Sequence, residues 1–233
     1  MDVLCTDKTG TLTRGVVQLD GALDSAGNPS KKVFLAAFLN AHFQSGLPNP
    51  LDEAIAAHTQ PDIAAFEKTE EIPYDFVRKR LSIAVKNSER PGDTCRLITK
   101  GAFANVLDVC THVHEPDGTT TPLDAARRAA LEQLFNEYSA KGFRVLGLAV
   151  RDIEPRPEYT VADESDMIFA GFLLFFDPPK DDALEAVADL RRLGVSLKII
   201  TGDNAQVARH VAEAVGLPTD SVLTGAEIRD IHD

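Results

Sequence analysis

The sequence predicts an α/β fold in which a parallel sheet is interrupted by an inserted α+β domain with antiparallel strands. In the last third of the chain, apolar strand-like stretches alternate with amphipathic helix-like ones, which is the pattern of a doubly wound parallel sheet. Nearer the middle, period-two alternation at 81–85 indicates an antiparallel strand. We therefore expect a discontinuous sheet domain at 1–15 and 171–233 and an inserted domain at 16–170, for which a chain of 233 residues is long enough.

Each element rests on its own local pattern. A short, mostly apolar stretch at 3–5 suits a buried strand. Apolar residues recur with helical spacing at 31–44. A second helix is expected at 51–59, because Asn49 is a suitable N-cap and Pro50 suits the first turn.

The rest of the chain follows the same criteria. The remaining predicted elements are a turn at 87–93, a partner strand at 96–99, helices at 102–110 and 123–140, strands at 145–150 and 167–176, a helix at 181–193, a strand at 197–200 and a helix ending at Val215.

The composition excludes several classes of protein. A formal net charge of −12 argues against binding to nucleic acid or to an anionic membrane surface. The three cysteines are odd in number and lack metal-ligand spacing, which fits reduced thiols in a cytosolic setting. The longest apolar run, at 167–176, is far shorter than the roughly 20 residues that cross a bilayer. We expect a soluble chain with no nucleic-acid partner.

Two polar turns follow predicted buried strands. Asp7 ends the first strand and is followed at once by a turn rich in glycine and threonine, which places a carboxylate at the edge of the sheet where ligands bind. A carboxylate is ionised at neutral pH and can accept a phosphoryl group as an acyl-phosphate. Thr201 and Gly202 follow the strand at 197–200 and open a helix, where an anion is favoured.

The stretch at 7–13, Asp-Lys-Thr-Gly-Thr-Leu-Thr, resembles the phosphorylation signature of the P-type ATPases, cation pumps that form an aspartyl-phosphate. Further matches follow in the family's order along nearly the whole chain. The wider relationship is to the haloacid dehalogenase-like phosphotransferases. The resemblance implies a haloacid dehalogenase-like parallel sheet, with Mg²⁺ and ATP as cofactors.

The resemblance also implies roles for the residues of both turns. Asp7 would be the nucleophile, and its carboxylate would bind Mg²⁺ together with the backbone carbonyl of Thr9. Lys8 and Thr9 would help to hold the phosphate. Thr201 and Gly202 would bind the phosphoryl oxygens.

A nucleotide pocket in the inserted domain is implied in the same way. The segment at 72–80 is similar to the family's adenine-stacking segment, with Phe76 as the stacking ring and Arg78 as a phosphate contact. Lys100 and Gly101 resemble the signature that lines the pocket. The remaining implied nucleotide contacts are Asp52, Arg144, Asp177 and Asp203.

Three of these positions carry further expectations. Asp52 stands where the family usually has a glutamate, so its side chain is one methylene shorter. Arg144 and Asp203 resemble residues that reach the ribose. Asp177 opens the segment Asp-Pro-Pro-Lys, which resembles the hinge between the two domains.

The stretches at 38–47 and 162–166 resemble the bacterial magnesium-importing class. This implies a pump on the cytoplasmic side of the bacterial cell membrane, with transmembrane and actuator domains elsewhere in the same protein as partners. The family's later lysine and Gly-Asp-Gly-x-Asn-Asp segment are not in this sequence. We therefore expect this chain alone to bind nucleotide but to be phosphorylated poorly or not at all.

Three alternatives remain open. A haloacid dehalogenase-type phosphatase with a cap domain would usually carry a second aspartate two residues after the nucleophile, where this chain has Thr9. A pump for another cation, such as a proton or calcium, shares the general motifs. A non-catalytic nucleotide-sensing module would bind ATP whether or not Asp7 is intact.

Overall fold

A sheet of eight strands, most of them antiparallel, accounts for much of the fold. The structure is a computed structural model that describes residues 1–46, 49–89, 94–219 and 222–230. Its strands are β1 (Val3–Asp7), β2 (Gln18–Leu23), β3 (Phe66–Asp75), β4 (Arg80–Asn87), β5 (Cys95–Ala102), β6 (Cys110–His114), β7 (Thr120–Pro122), β8 (Arg144–Ile153), β9 (Met167–Phe176) and β10 (Ser196–Ile200).

The helices are distributed along the whole chain. They are α1 (Lys31–Phe43), α2 (Pro50–His58), α3 (Phe103–Leu107), α4 (Ala125–Ala140), α5 (Ala183–Arg192), α6 (Ala205–Ala214) and α7 (Gly225–Asp230). Within the described ranges, none of them has the length and apolar content that crossing a membrane requires.

The chain divides into two units. The larger one comprises residues 18–135 and 145–175, and the smaller one comprises 1–17, 136–144 and 176–233. In the larger unit, the strand order is β3-β4-β5-β8-β9-β6-β7, with β2 also paired to β9. The pairs β3–β4, β4–β5 and β5–β8 are antiparallel, whereas β6 and β9 run parallel.

Aromatic rings fill the core of the larger unit. Phe172 is fully buried, and its ring centroid lies 5.6 Å from that of Phe103 and 5.1 Å from that of Phe169. Burying a side chain of this size contributes about 1.5–3 kcal/mol. The central strands of this sheet therefore form a rigid base for the residues that they carry.

The smaller unit is built on two parallel strands, β1 and β10. Helices α5 and α6 also belong to it. A small cluster of buried side chains forms its core: Leu12, Ala183, Val187, Leu197 and Val215.

Most of the predicted elements are confirmed, but several differ. The predicted helix at 102–110 ends at Leu107, because Cys110 begins β6. No strand was predicted at β2, β3, β6 or β7, and no helix was predicted at α7. The parallel sheet was expected to resume near residue 171, but β9 lies in the eight-stranded sheet, since a continuous apolar run indicates burial without indicating which sheet is joined. The coarser α/β class is correct, and the turn at 87–93 lies partly outside the described residues.

Candidate functional site

Strand register in the smaller unit brings the two polar turns together. Asp7, the last residue of β1, pairs with Ile200, the last residue of β10. Thr201 and Gly202 follow directly, so both turns leave the carboxyl ends of adjacent parallel strands. This edge is where open α/β sheets bind their ligands.

The backbone after Asp7 turns sharply over Lys8–Leu12, which we call the aspartate loop. Gly10 has φ of +76°, a left-handed conformation that suits glycine. The amide of Lys8 donates a 2.8 Å hydrogen bond to Asp7 Oδ1, and the amide of Thr13 donates a 3.2 Å bond to the Lys8 carbonyl. The Asp7 residue is exposed, so its carboxylate is accessible to a substrate.

A buried ion pair links the two turns. Lys8 Nζ lies 2.7 Å from Asp203 Oδ2, and these side chains are only 6% and 9% exposed. The guanidinium of Arg144 lies 3.8 Å from the other oxygen, Oδ1. Three predicted residues from separate segments therefore meet around one carboxylate.

Asp177 has a different set of partners. Its Oδ2 accepts a 2.6 Å hydrogen bond from Thr13 Oγ1, and its Oδ1 accepts a 3.0 Å bond from the amide of Gly15. Close by, Lys180 Nζ donates to the Gly10 carbonyl at 2.8 Å. Asp177 thus fastens the outgoing and returning chain segments to each other beside the aspartate loop.

In the larger unit, Phe76 lies at the tip of a turn between β3 and β4, residues 75–80, which we call the Phe76 turn. Its residue surface is 85% exposed, although the ring forms an edge contact with Tyr74 at 5.4 Å between centroids. Asp75 Oδ1 accepts hydrogen bonds from the amides of Arg78 (2.7 Å) and Val77 (2.9 Å), and these bonds lower the pKa of the Asp75 carboxyl. The turn therefore presents a large aromatic surface from an ordered backbone.

Lys100 and Asp52 form a second buried ion pair. Lys100 Nζ donates to Asp52 Oδ1, and Gln44 Nε2 donates to Oδ2 at 2.6 Å. Burial lowers the pKa of Lys100, while the neighbouring Asp52 carboxylate opposes that shift. Both oxygens of Asp52 already have partners within the chain, so an adenine contact would have to share or displace one of them.

The predicted signature glycine has a steric role in this structure. Gly101 lies opposite Arg80 in the β4–β5 ladder. A Cβ atom at this position would lie 2.3 Å from the carbonyl oxygen of Lys79. The close approach of β5 to the Phe76 turn therefore requires glycine.

One charged cluster was not predicted from the sequence. Glu164 has a side chain with 0% exposure, and its Oε2 accepts from Arg78 (2.5 Å) and Arg80 (2.8 Å). Its Oε1 accepts from Ser82 Oγ at 2.7 Å. Two arginines spaced by one residue were a possible signal for a buried carboxylate, but nothing local indicated which acid would pair with them.

The predicted residues thus fall into two groups, one in each unit. The smaller unit holds Asp7, Lys8, Thr9, Arg144, Asp177, Thr201, Gly202 and Asp203, whereas the larger unit holds Asp52, Phe76, Arg78, Lys100 and Gly101. Among the described residues, no group of three or more His, Cys, Asp or Glu side chains is arranged to hold a metal ion.

The amino-acid sequence of the chain is similar to those of known proteins. A sequence model of the family described as P-type ATPase, cytoplasmic domain N, matches residues 45–182. The whole chain aligns with 41% identity to the magnesium-transporting ATPase, P-type 1, of Salmonella typhimurium and with 38% identity to the Escherichia coli protein of that name. It spans 26% of the length of each of these relatives. A calcium-transporting ATPase of Dictyostelium discoideum is 26% identical over 98% of this chain, which covers 23% of that protein.

Proposed function

Because the chain belongs to the P-type ATPases, we propose that it is the ATP-binding and phosphoryl-accepting part of a magnesium-transporting pump. The proposed reaction is transfer of the γ-phosphoryl group of ATP to the carboxylate of Asp7. The observation that carries this proposal is the register of β1 and β10, which sets Asp7 beside Thr201 and Gly202 at one sheet edge. We also propose that these strands are part of a haloacid dehalogenase-like sheet.

The proposed transfer needs little covalent chemistry from the protein. An oxygen of Asp7 bonds to the γ-phosphorus as the bond from that phosphorus to the ADP oxygen breaks, and ADP leaves with the bonding electrons. Lys8 and Thr9, with Thr201 and Gly202 opposite them, would bind the phosphoryl oxygens. Lys8 Nζ now pairs with Asp203, so it would share its protons between that carboxylate and the phosphate.

Mg²⁺ fits the donor set beside Asp7. This ion usually binds through one or two carboxylates and substrate phosphates and keeps several waters, so it does not need a cage of protein ligands. Asp7 offers an exposed carboxylate, and Thr9, also exposed, offers a backbone carbonyl oxygen. Bound there, Mg²⁺ would offset the negative charge of the phosphates that Asp7 must approach.

ATP would be held by the inserted domain, which we place at 16–170, with the phosphorylation domain at 1–15 and 171–233. Phe76 offers a ring for adenine, and Arg78 offers a guanidinium for phosphate. Asp52, Lys100 and Gly101 would line the same pocket. Arg144 would contact the nucleotide from the inserted domain, and Asp177 and Asp203 would contact it from the phosphorylation domain.

Magnesium as the transported ion is supported by the names of the relatives that are 38–41% identical over the whole chain. The partners would be the transmembrane and actuator domains of the same pump, at the cytoplasmic side of a bacterial membrane. The transported ion would bind in those other domains, so this part supplies the energy of ATP to them.

Calorimetric titration with Mg-ATP tests the nucleotide site. Wild-type chain should bind saturably, and Phe76→Ala should remove most of the binding heat. Val77→Ala is the matched control, because Val77 is an equally exposed apolar neighbour in the same turn. Equal binding by all three would show that the Phe76 ring is not the adenine contact.

Phosphorylation is tested in the full-length pump with ATP labelled at the γ-phosphate. The label should appear on the protein and survive acid, and Asp7→Asn should abolish it. Labelling that persists in Asp7→Asn would disprove the proposed nucleophile.

A further inference from the structure

Glu164 is a buried carboxylate that ties a distant chain segment to the Phe76 turn. It follows the short helical turn Val161–Asp163, in which Thr160 and Asp163 cap each other. The segment is also held from β8, since Arg151 donates to the Ser165 carbonyl at 2.5 Å. Glu164 therefore projects from a support that is fixed independently of the Phe76 turn.

The two arginines that Glu164 accepts from also bind backbone carbonyls. Arg78 donates at 2.7 Å to the carbonyl of Pro73, the residue that precedes Tyr74. Arg80 donates at 3.1 Å to the carbonyl of Asn105 in α3. Each guanidinium thus joins Glu164 to a different backbone segment, one before the Phe76 turn and one beyond β5.

The turn itself has a strained position between these two arginines. Lys79 has φ of +52°, a left-handed conformation that is unfavourable for a residue with a side chain. Its carbonyl oxygen accepts a 2.9 Å hydrogen bond from the amide of Ala102. A strained conformation persists only when its surroundings hold it, and the residues on both sides of Lys79 are held by Glu164.

From these contacts we propose that Glu164 is a positioning residue for nucleotide binding: through Arg78 and Arg80 it sets the Phe76 turn in the conformation that presents the ring. The inference rests on the proposed function, because it assumes that the turn binds ATP. The Glu164 side chain is fully buried, so it would act through the two arginines and not by contact with ATP.

The charges of the cluster explain why a carboxylate is needed here. Two guanidinium groups share one carboxylate oxygen, and Ser82 Oγ, which is also within 2.7 Å of Thr99 Oγ1, occupies the other. Without the negative charge, two largely buried cations would repel each other, and Arg78 would move toward solvent. Such a movement would release the Phe76 turn on the side of Pro73.

The test uses Glu164→Gln, which keeps the shape and removes the charge. Mg-ATP affinity should fall roughly tenfold, as expected when a charge-assisted support is lost. Hydrogen exchange should rise in peptides covering 73–80 but not in those covering β8 and β9. Glu115→Gln is the matched control, because it makes the same change in a more exposed ion pair, with Arg127, elsewhere in the larger unit.

A double-mutant cycle distinguishes positioning from general destabilisation. In a Phe76→Leu background, which retains an apolar contact but loses the ring, Glu164→Gln should cost much less affinity than in the wild type. Equal losses in the two backgrounds, or exchange that rises across the whole sheet, would overturn the positioning role.

Two further results separate this inference from the proposed function. If wild-type chain binds ATP and folded Glu164→Gln binds it equally well, the inference fails and the proposed function stands. If wild-type chain binds no ATP, both fail. Should Glu164→Gln not fold, Ser82→Ala tests the inference instead. It leaves both arginines paired with Glu164 but removes the partner of Oε1, together with the contact to Thr99 Oγ1, and should shift affinity and exchange in the same direction by less.

Discussion

At the scale of single residues, the ion pair between Lys100 and Asp52 contributes to the stability of the fold and also lies in the candidate nucleotide pocket. Both residues are buried, and Gln44 occupies the second oxygen of Asp52. A buried pair of this kind gains little over an apolar pair of the same volume, but removing one partner leaves an uncompensated charge. Lys100 therefore has a structural role whether or not it contacts ATP.

We expect Lys100→Met to lower the free energy of unfolding by about 3–5 kcal/mol, because Asp52 is left buried without its cation. Adding Asp52→Leu should recover most of that loss. Arg96→Met is the control, because Arg96 lies on the same strand as Lys100 but forms an exposed ion pair with Asp152. Breaking that pair should cost less than about 1 kcal/mol. Urea denaturation measures the stability of the wild type and of the three variants. A double variant no more stable than Lys100→Met would contradict the argument.

The three cysteines should differ sharply in reactivity. Cys5 is exposed, whereas Cys95 and Cys110 are buried. Burial raises the pKa of the Cys110 thiol to about 12, so at pH 8 almost none of it is the reactive thiolate. Iodoacetamide should label one cysteine in the folded chain and three in urea, as counted by mass spectrometry. Native labelling of Cys5→Ser would show that a buried thiol is open to solvent.

Residues differed in how far the sequence could predict them. Asp7 and Thr201 were each predicted at the end of, or just after, an apolar strand, and the register of β1 and β10 shows that these two strands are adjacent. The buried ion pairs of Glu164 could not be predicted, because the arginines that bind it lie more than eighty positions away in the sequence. An acid in a run of acidic residues has the local pattern of a solvated surface, and only tertiary contacts reveal that it is buried.

At the scale of elements, the approach of β5 to the Phe76 turn depends on the absence of one side chain. Gly101→Ala would place its Cβ 2.3 Å from the Lys79 carbonyl oxygen, which belongs to backbone and cannot rotate away. We expect a loss of stability of about 1–3 kcal/mol together with weaker ATP binding. Gly21→Ala is the control, because its nearest neighbour would be a leucine side chain at 3.5 Å. Unchanged melting of Gly101→Ala would mean that the strand shifts without cost.

Elements with a regular apolar pattern were predicted, and those without one were not. The alternating strand at 81–85 and its partner at 96–99 correspond to β4 and β5. β3 was missed because it lies at the edge of the sheet, carries several charged residues and Pro73, and has irregular pairing with β4. Edge strands commonly contain charges and proline, which discourage pairing with other chains but also hide the strand pattern.

At the scale of the whole molecule, the family resemblance was the most reliable prediction, and the comparisons confirm it. Several specific motifs in a fixed order identify a family even when individual strands are assigned to the wrong sheet. The roles of the site residues and the boundaries at 16–170 stay predictions, because sequence motifs mark positions and not the contacts that a bound nucleotide makes.

The two units should also differ in stability. The smaller unit has a two-stranded sheet over a core cluster of five buried residues, whereas the larger unit has eight strands and a fully buried aromatic core. Two-stranded sheets are marginally stable, so β1 and β10 should open at a lower free energy than β4 and β5. Native-state hydrogen exchange under increasing urea measures both sets of amides in one sample.

Asp177→Ala makes this last prediction specific. It removes the bonds from Thr13 Oγ1 and the Gly15 amide, which fasten two chain segments within the smaller unit. Exchange should accelerate in β1 and β10 by roughly tenfold or more, while β4 and β5 keep their wild-type protection. The contrary result is that all four strands open at one common free energy, both before and after the substitution. In that case the chain would be a single cooperative unit, and opening of the strand that carries Asp7 would also unfold the nucleotide site.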